Sequence, residues 1–185
     1  MSAVFEALQQ KFGAQIQAMS AQRDDEIYLL VGDPDVRALT EYLRNEFEAR
    51  LVTVFAEDRR SAEGVFFNYY VFERKDDTRY LIVRAPVCVD DPKFPSLSAE
   101  LPAVNWQERE IQDWFGLKPV GHPNPRRVAL HDNWPDVHPL RKDFPLAARA
   151  AQEWPGAREP GERQASQRSR RRLVPPGVPE GWPPP

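Results

Sequence analysis

The stretch EREIQDWFGL holds three carboxylates that could do acid–base chemistry: Glu108, Glu110 and Asp113. A positioned carboxylate can accept or donate a proton during a reaction. Catalysis would also need a nucleophile, a metal ion or an oxyanion site nearby, and neither a glycine-rich phosphate loop nor a G-x-S-x-G serine accompanies these residues. We therefore favour helix-surface or ion-paired charges over a free-standing carboxylate-dependent enzyme, and we predict no catalytic site in this chain.

Metal and redox chemistry have few candidate residues. His122, His131 and His138 are the only histidines, and their spacing matches no HExxH-type metal site. Cys88 is the only cysteine, which excludes an internal disulfide and an iron–sulfur cluster held by this chain alone. We predict that the purified chain contains no metal, cluster or flavin.

Glu108 lies at an unusual position in the helical pattern. It falls on one side of a helix together with Val104, Ile111 and Phe115, and these three are apolar. A buried carboxylate without a partner would cost several kcal/mol. We therefore predict that Glu108 pairs with an arginine of the loop that follows the helix. The candidates are Arg126, Arg127 and Arg141.

The loop itself, residues 117–146, has the composition of a binding surface. Its six prolines exclude a long helix or a central strand. Arginines and Trp134 stand between those prolines, and Trp and Arg are common anchors of protein interfaces. Prolines also reduce the entropy lost on docking. We predict a rigid, extended partner-binding loop, ordered mainly by contacts with the preceding sheet and with a partner.

The elements that must hold this loop in place follow from the hydrophobic pattern. An amphipathic repeat predicts a helix over residues 2–19, the apolar run EIYLLV predicts a strand over 26–31, and Pro34 begins a helix that runs to about Arg50. Segments rich in β-branched and aromatic residues predict three hairpin-linked strands: 51–57, 64–73 and 78–87.

Together these elements predict an α+β fold. An antiparallel β-meander packs against two or more helices, and a helix from Pro102 to Gly116 and a long proline-rich extended segment follow. We divide the chain into four parts: a sheet domain over 1–90, a linker over 91–101, the helix with its partner-binding loop over 102–146, and a basic, proline-rich tail over 147–185 that is extended or disordered.

The overall composition is that of a soluble globular protein. Hydrophobic residues make up 41% of the 185 residues and charged residues 29%, and the net charge is −3. We predict neither a secretory signal nor a membrane-spanning segment. The basic run RSRRR, residues 168–172, could contact nucleic acid. In an acidic chain, however, a solvated tail or an acidic protein partner is the better interpretation.

The stretch from Pro102 to Leu146 resembles the C subunit, or 30 kDa subunit, of respiratory complex I, the NADH-quinone oxidoreductase. The motifs NWQEREIQDWFGL, GHPNPRR and HPLRKDFPL carry the resemblance. The residues that we predict to bind a partner or to hold the structure are Glu108, Arg109, Glu110, Asp113, Phe115, Gly116, His122, Arg126, Arg127, Trp134, His138, Arg141, Lys142, Asp143 and Phe144.

The resemblance implies a non-catalytic subunit of the peripheral arm of complex I. Such a subunit holds no cofactor and braces the large D-type subunit near the quinone site, while partner subunits carry the iron–sulfur clusters. It implies a position on the cytoplasmic face of a prokaryotic inner (plasma) membrane, reached only through the complex, and no binding to nucleic acid.

A second resemblance leaves the electron acceptor open. The segment LHDNWPDVHPLRKDF is also similar to the homologous segment of energy-converting, membrane-bound nickel–iron hydrogenases and formate hydrogenlyase. In that alternative the chain is the equivalent accessory subunit, a partner carries the nickel–iron centre, and protons rather than quinone accept the electrons.

Overall fold

A five-stranded sheet with helices on one face forms the body of the protein. The computed structural model describes residues 3–23, 25–32, 35–75 and 77–144. The helices are α1 (Ala3–Phe12), α2 (Val36–Phe47), α3 (Arg60–Glu63) and α4 (Asn105–Phe115), with a 3-10 turn over Pro102–Val104. The strands are β1 (Ile16–Arg23), β2 (Glu26–Val31), β3 (Arg50–Asp58), β4 (Phe66–Arg74), β5 (Asp77–Val87), β6 (Lys93–Pro95) and β7 (Lys118–Val120).

The predicted α+β class and the antiparallel meander are confirmed. The large sheet has the strand order β1-β2-β5-β4-β3. β3, β4 and β5 pair antiparallel in sequence order, whereas β2 joins β5 in parallel and β1 pairs antiparallel with β2. The parallel β2–β5 pair is possible because α2 and the meander supply the long connection that parallel strands require.

The core lies on the helix-covered face of this sheet. Along β4, Phe66, Tyr70 and Phe72 join a buried cluster to which α1, α2 and α4 contribute, whereas Phe67 and Tyr69 belong to a separate cluster. This alternation follows the two-residue period of a strand. The sequence therefore directs one set of side chains toward the helices.

The helix predicted over residues 2–19 is wrong beyond Phe12. The chain turns after α1, with the Gln15 amide donating to the Phe12 carbonyl at 2.9 Å, and continues as β1. Ile16 and Met19 still pack against the core, but from a strand that pairs with β2. Gly13 weakens the helix at this point. β1 gains main-chain hydrogen bonds from its hairpin partner β2, and a helical repeat in the sequence does not reveal that gain. The second predicted helix, from Pro34 to about Arg50, extends beyond α2 at both ends, because α2 spans Val36–Phe47.

The predicted linker over 91–101 is also wrong, because much of this segment is buried. β6 pairs in parallel with β7, and Phe94, Ser96 and Leu97 are at most 1% exposed. Arg37 on α2 donates to the Ser96 carbonyl at 2.6 Å. The segment thus belongs to the same compact unit as the sheet, which runs to Phe144. The prolines prevented long regular elements here without preventing burial.

No helix among the described residues is long and apolar enough to cross a membrane. The tail predicted over 147–185, together with Pro145 and Leu146 of the loop, lies outside the described residues.

Candidate partner-binding site

Helix α4 is the element on which the signature residues are assembled. It begins after the 3-10 turn led by Pro102 and ends, as predicted, at Gly116, whose φ is 71° and whose amide donates to the Gln112 carbonyl at 2.9 Å. At the edge of the sheet, the Gln107 side chain accepts a hydrogen bond from the Val54 amide of β3 at 3.1 Å. Helix and sheet are therefore joined through polar as well as apolar contacts.

The prediction that Glu108 pairs with a loop arginine is wrong. Its side chain is fully buried, and its carboxylate accepts hydrogen bonds from the hydroxyls of Ser96 and Ser98 and, at 2.7 Å, from the Leu97 amide. Three neutral donors thus satisfy the two oxygens of this buried carboxyl group. These donors come from the segment that the sequence predicts to be a linker.

His122 lies next to this carboxylate and fastens the start of the loop. Its Nε2 is 3.9 Å from Glu108 Oε2, but its hydrogen bond, at 3.1 Å, goes to the Asn105 carbonyl. Its Nδ1 accepts from the Asn124 amide at 2.9 Å. An imidazole that accepts at Nδ1 and donates at Nε2 is the neutral tautomer. His122 therefore links α4 to the loop through its two hydrogen bonds and is not an ion-pair partner of Glu108.

Asp113, the second buried carboxylate of α4, holds the middle of the loop. Its Oδ2 accepts from three successive backbone amides, those of Val128, Ala129 and Leu130, at 2.9, 2.8 and 3.1 Å. Consecutive amides that converge on one anion form a strong set of charge-assisted hydrogen bonds. Asp113, one of the candidate acid–base residues, therefore fixes the loop backbone in place.

Two further side chains of α4 hold the loop by its carbonyls. Arg109 donates from Nε to the Arg126 carbonyl at 2.7 Å and from Nη2 to the Arg127 carbonyl at 3.0 Å. Gln112 donates to the Pro125 carbonyl at 3.0 Å. Arg126 and Arg127 therefore contact α4 through their backbone carbonyls, and the Arg126 side chain is exposed.

The far end of the loop returns to the C-terminus of α4. His138 donates from Nδ1 to the Asp113 carbonyl at 3.0 Å, and Arg141 donates from Nε to the Phe115 carbonyl at 2.6 Å. These bonds satisfy carbonyls that a helix end leaves without partners. The Arg141 guanidinium also lies 5.3 Å from the centroid of the Phe66 ring, and burial lowers the pKa of this arginine from its ordinary value.

A charged cluster that the sequence did not suggest fixes the last described residues. Asp58, whose side chain is 2% exposed, accepts from Arg60 at 2.7 Å and from the Lys142 amide at 2.9 Å. Arg60 also pairs with Asp143 at 2.8 Å. Hydrogen bonds from Arg60 hold the pKa of Asp58 well below its usual range. Asp58 and Arg60 stand far from the loop in sequence, and no local pattern could have paired them with it.

The remaining predicted residues are less involved in the framework. The Trp134 indole donates to the Val137 carbonyl at 3.0 Å and lies 5.5 Å from the His131 ring, so it packs within the loop. Phe115 is buried and Phe144 half-buried. Glu110 and the Lys142 side chain are exposed.

Comparison with known proteins identifies this helix-and-loop unit. The sequence profile of the family described as "respiratory-chain NADH dehydrogenase, 30 Kd subunit" matches residues 29–150. The chain belongs to this family. The predicted resemblance is therefore confirmed, and the matched range begins within β2 and includes β3 to β7, α4 and the whole described loop.

Relatives within this family carry two kinds of name. The NADH-quinone oxidoreductase C subunit of Geotalea uraniireducens (strain Rf4) is 33% identical over 143 residues, which cover 75% of this chain and 84% of that one. Hydrogenase-4 component G of Escherichia coli (strain K12) is 34% identical over 143 residues, which cover 76% of this chain but 26% of that one. Formate hydrogenlyase subunit 5 of the same organism is 34% identical over 139 residues, covering 74% and 24%. The chain thus spans about a quarter of the length of these two curated relatives.

Two solved structures share the fold of this chain. The trypsin-resistant fragment of Nqo5 superposes with a TM-score of 0.55 at 18% identity, covering 65% of this chain and 96% of that one. A chain of the membrane-bound sulfane sulfur reductase, an archaeal respiratory membrane complex, superposes with a TM-score of 0.62 at 18% identity, covering 77% and 84%. At this identity the likeness establishes the fold.

Gly116 of the family signature should tolerate no side chain. Its φ is positive, and an added Cβ would overlap the His138 ring and lie 2.7 Å from Arg141 Nη2. We expect Gly116→Ala to lower the free energy of unfolding by about 2–4 kcal/mol, measured by urea titration. Gly64 is a matched control, because it has a φ of 75° with nothing within 4 Å of an added Cβ. Gly64→Ala should cost about 1 kcal/mol, and equal losses at the two positions would contradict the predicted clash.

The Asp58 cluster should make the fold sensitive to acid. The pKa of Asp58 is lower in the folded chain than in the unfolded chain. Such a carboxyl group stabilises the fold fully at pH values above its unfolded pKa of about 4, and this stabilisation is lost as the pH falls below that value. We expect the advantage of the wild type over Asp58→Asn, about 2 kcal/mol at pH 7, to shrink steadily below about pH 4. Urea unfolding at several pH values measures it. Asp90→Asn, at an exposed carboxyl, should change little, and a pH-independent advantage at Asp58 would refute the assignment.

Proposed function

We propose that this chain is a non-catalytic peripheral-arm subunit of a complex-I-like NADH:quinone oxidoreductase, where it braces the cofactor-bearing large subunit near the quinone site. The proposal rests on the hydrogen bonds of the signature side chains. Glu108, Asp113, Arg109 and Arg141 each form hydrogen bonds with backbone or hydroxyl groups of this same chain. Such a unit is suited to presenting a rigid surface rather than to turning over a substrate.

Pre-organisation supports a binding role. A loop that is already ordered loses less entropy when a partner docks, and the described loop is fastened at its start, middle and end. Large apolar side chains remain exposed on or beside α4 and the loop: Trp106 is 65% exposed, Val120 55% and Leu140 54%. Exposed aromatic and aliphatic anchors on a rigid framework are the usual components of an interface.

Fused relatives support a large subunit as the partner. A protein named as the C/D subunit of NADH-quinone oxidoreductase, from Methylococcus capsulatus (strain ATCC 33009 / NCIMB 11132 / Bath), is 37% identical over 154 residues, which make up 24% of its length. A module that is joined to a longer chain in some relatives is expected to touch the corresponding separate chain in others. In this proposal the partner subunits carry the iron–sulfur clusters, this chain carries no cofactor, and the complex places it on the cytoplasmic face of the membrane.

A second candidate is the equivalent accessory subunit of a membrane-bound energy-converting hydrogenase or formate hydrogenlyase. Two of the relatives with long matches bear hydrogenase and formate hydrogenlyase names. The loop sequence Asn133-Trp134-Pro135 is the sequence feature that favours this alternative. In that case a partner would hold the nickel–iron centre, and the bracing role of this chain would be the same.

Purification of the tagged full chain from membranes of its source organism tests both candidates. We expect a large subunit and iron–sulfur subunits to co-purify, and NADH-dependent quinone reduction to be lost when the gene is deleted. Loss of hydrogen evolution instead would select the second candidate. A chain that is recovered alone, with its own turnover or with about one equivalent of metal, would contradict a bracing role.

A further inference from the structure

A groove lies where the end of α2, the start of β3 and the 3-10 turn before α4 meet. Its volume is about 480 Å³, and six of its eight wall residues are apolar, among them Leu51, Val52, Leu101 and Ala103. A concave, mostly apolar surface with a few polar groups is the usual form of a binding site. None of the signature side chains described above lines this groove.

Val52 brings an apolar side chain to this groove through an irregularity in β3. Leu51 lies opposite Phe72 of β4 and Thr53 lies opposite Val71, so Val52 is an extra residue between two paired positions. Such a β-bulge re-aims side chains and is common at sheet edges, and β3 is an edge strand. Val52 is 41% exposed. A β-branched apolar side chain is thus held at the surface of the groove rather than in the core.

The walls of the groove are fixed before a partner arrives. Gln107 of α4 accepts a hydrogen bond from the Val54 amide of β3 at 3.1 Å, which holds the helix against the strand. Ala103 precedes Trp106 by three residues, and residues at this spacing lie on the same side of a helix. Trp106 is 65% exposed. The groove is therefore preformed, and it opens beside an exposed aromatic side chain that the proposed function assigns to the interface.

Both charged residues of the groove are cations, Arg44 and Arg50, and no carboxylate among the described residues lines it. Arg50 donates from Nε to Glu73 at 2.8 Å, whereas Arg44 makes no ion pair within the described part of the chain. Glu48, just after α2, is not one of the walls. One positive charge at the rim is therefore unbalanced. Because Arg44 is exposed, this charge contributes to selectivity and association rate more than to affinity.

We infer that this groove receives a segment of the large partner subunit in which an apolar side chain stands next to an Asp or Glu. The apolar side chain packs against Val52, Leu101 and Ala103, and the carboxylate pairs with Arg44. Burial of the apolar side chain supplies most of the affinity, since an exposed ion pair contributes little. This inference rests on the proposed function, which supplies the partner, and it adds the chemistry of the contact.

Val52→Asp tests the apolar contact. The full chain with this substitution should bind the purified large subunit roughly 30-fold more weakly than the wild type, because a carboxylate enters the apolar contact and repels the partner's own. Val89→Asp is the matched control, since Val89 is 39% exposed and lies outside the groove; it should change the dissociation constant less than about threefold. With all chains folded by circular dichroism, wild-type affinity in Val52→Asp, or equal losses at the two valines, would overturn the inference.

Val52→Lys gives the sign of the partner's charge. Lys and Asp both disturb the apolar contact, but a lysine can lay its methylene groups along the groove and place its ammonium near the partner's carboxylate. We expect Val52→Lys to bind at least about fivefold more tightly than Val52→Asp. Equal affinities of these two variants would overturn the assignment of an acidic partner.

Arg44→Glu tests the charged contact without touching the core, because Arg44 is exposed. The reversal of charge should weaken binding by about tenfold. Arg44→Gln should bind with a smaller dependence on sodium chloride than the wild type, since salt screens the lost ion pair. Lys75→Glu, at an exposed turn residue outside the groove, is the matched control. Unchanged affinity in Arg44→Glu would overturn the role of this arginine.

A photoreactive p-benzoylphenylalanine in place of Ala103 identifies the occupant. On irradiation its ketone inserts into a neighbouring C–H bond, so that a C–C bond forms, the ketone becomes a tertiary alcohol and no atom is lost. In the assembled complex we expect mass spectrometry to find position 103 joined to a peptide of the large subunit that contains an Asp or Glu beside the modified residue. A peptide without such a residue, or one from another subunit, would overturn the inference.

A second copy of this chain is the other occupant to test. We expect the isolated chain to sediment as a monomer at low and high concentrations. Dimers that Val52→Asp dissociates would assign the groove to a second copy and overturn the inference. If the wild type fails to bind the large subunit at all, the proposed function fails. If the wild type binds and the Val52 and Arg44 variants bind equally well, this inference alone fails.

Discussion

Replacing Glu108 with alanine should lower the free energy of unfolding by about 3–5 kcal/mol. The substitution removes the acceptor of two serine hydroxyls and the Leu97 amide in a site with no exposed surface. Each buried donor left without an acceptor costs about 1–3 kcal/mol, and the lost side chain leaves a cavity. Glu108 joins α4 to the 93–98 segment, so its removal loosens the contact between them. We therefore also expect weaker assembly with the large subunit.

Two companion variants make the Glu108 result specific. Glu110→Ala, on the exposed side of the same helix, should change stability by less than about 0.5 kcal/mol. Glu108→Gln keeps one acceptor oxygen, so its loss of stability should lie between those of Glu110→Ala and Glu108→Ala. Chemical denaturation gives the stabilities, and the yield of complex set against activity per assembled complex separates structure from chemistry. Normal stability and assembly with lost turnover in Glu108→Gln would show that this carboxylate acts in electron or proton transfer.

Replacing Asp113 with alanine should release the middle of the loop. Three consecutive amides lose their acceptor at once, and we expect a loss of about 3 kcal/mol. The loss is local as well as global, because the loop can open while the sheet remains folded. Amide hydrogen exchange should therefore accelerate most at Val128, Ala129 and Leu130, and much less in β4 and β5.

The exposed Asp132 serves as the control for this experiment. Asp132→Ala should leave exchange across the loop as in the wild type. The same measurement tests the sequence-based prediction that the loop depends on a partner for much of its order. Unchanged protection of residues 128–130 in Asp113→Ala would mean that other contacts hold this part of the loop, and the assigned role of Asp113 would be wrong.

The sequence by itself determined the order of most elements and the family. β3, β4 and β5 could be predicted because β-branched and aromatic runs separated by short polar links form hairpins through local interactions. The end of α4 could be predicted because a glycine reaches positive φ without strain. The family resemblance could be stated because many residue types recur at fixed spacing between Pro102 and Leu146.

Only the tertiary structure decided how the charges are satisfied. The position of Glu108 on an apolar stripe of α4 predicts that its carboxylate has partners. The sequence does not reveal whether those partners are an arginine or a set of neutral donors, since either can satisfy a carboxylate. In the structure, the donors to Glu108 are Ser96, Leu97 and Ser98. They reach the carboxylate because β6 pairs with β7 and the segment after it is bound to α2. The parallel pairing of β2 with β5 and ion pairs such as Arg60 with Asp143 likewise join residues far apart in sequence. Their stabilisation depends on distances that exist only once the chain has folded.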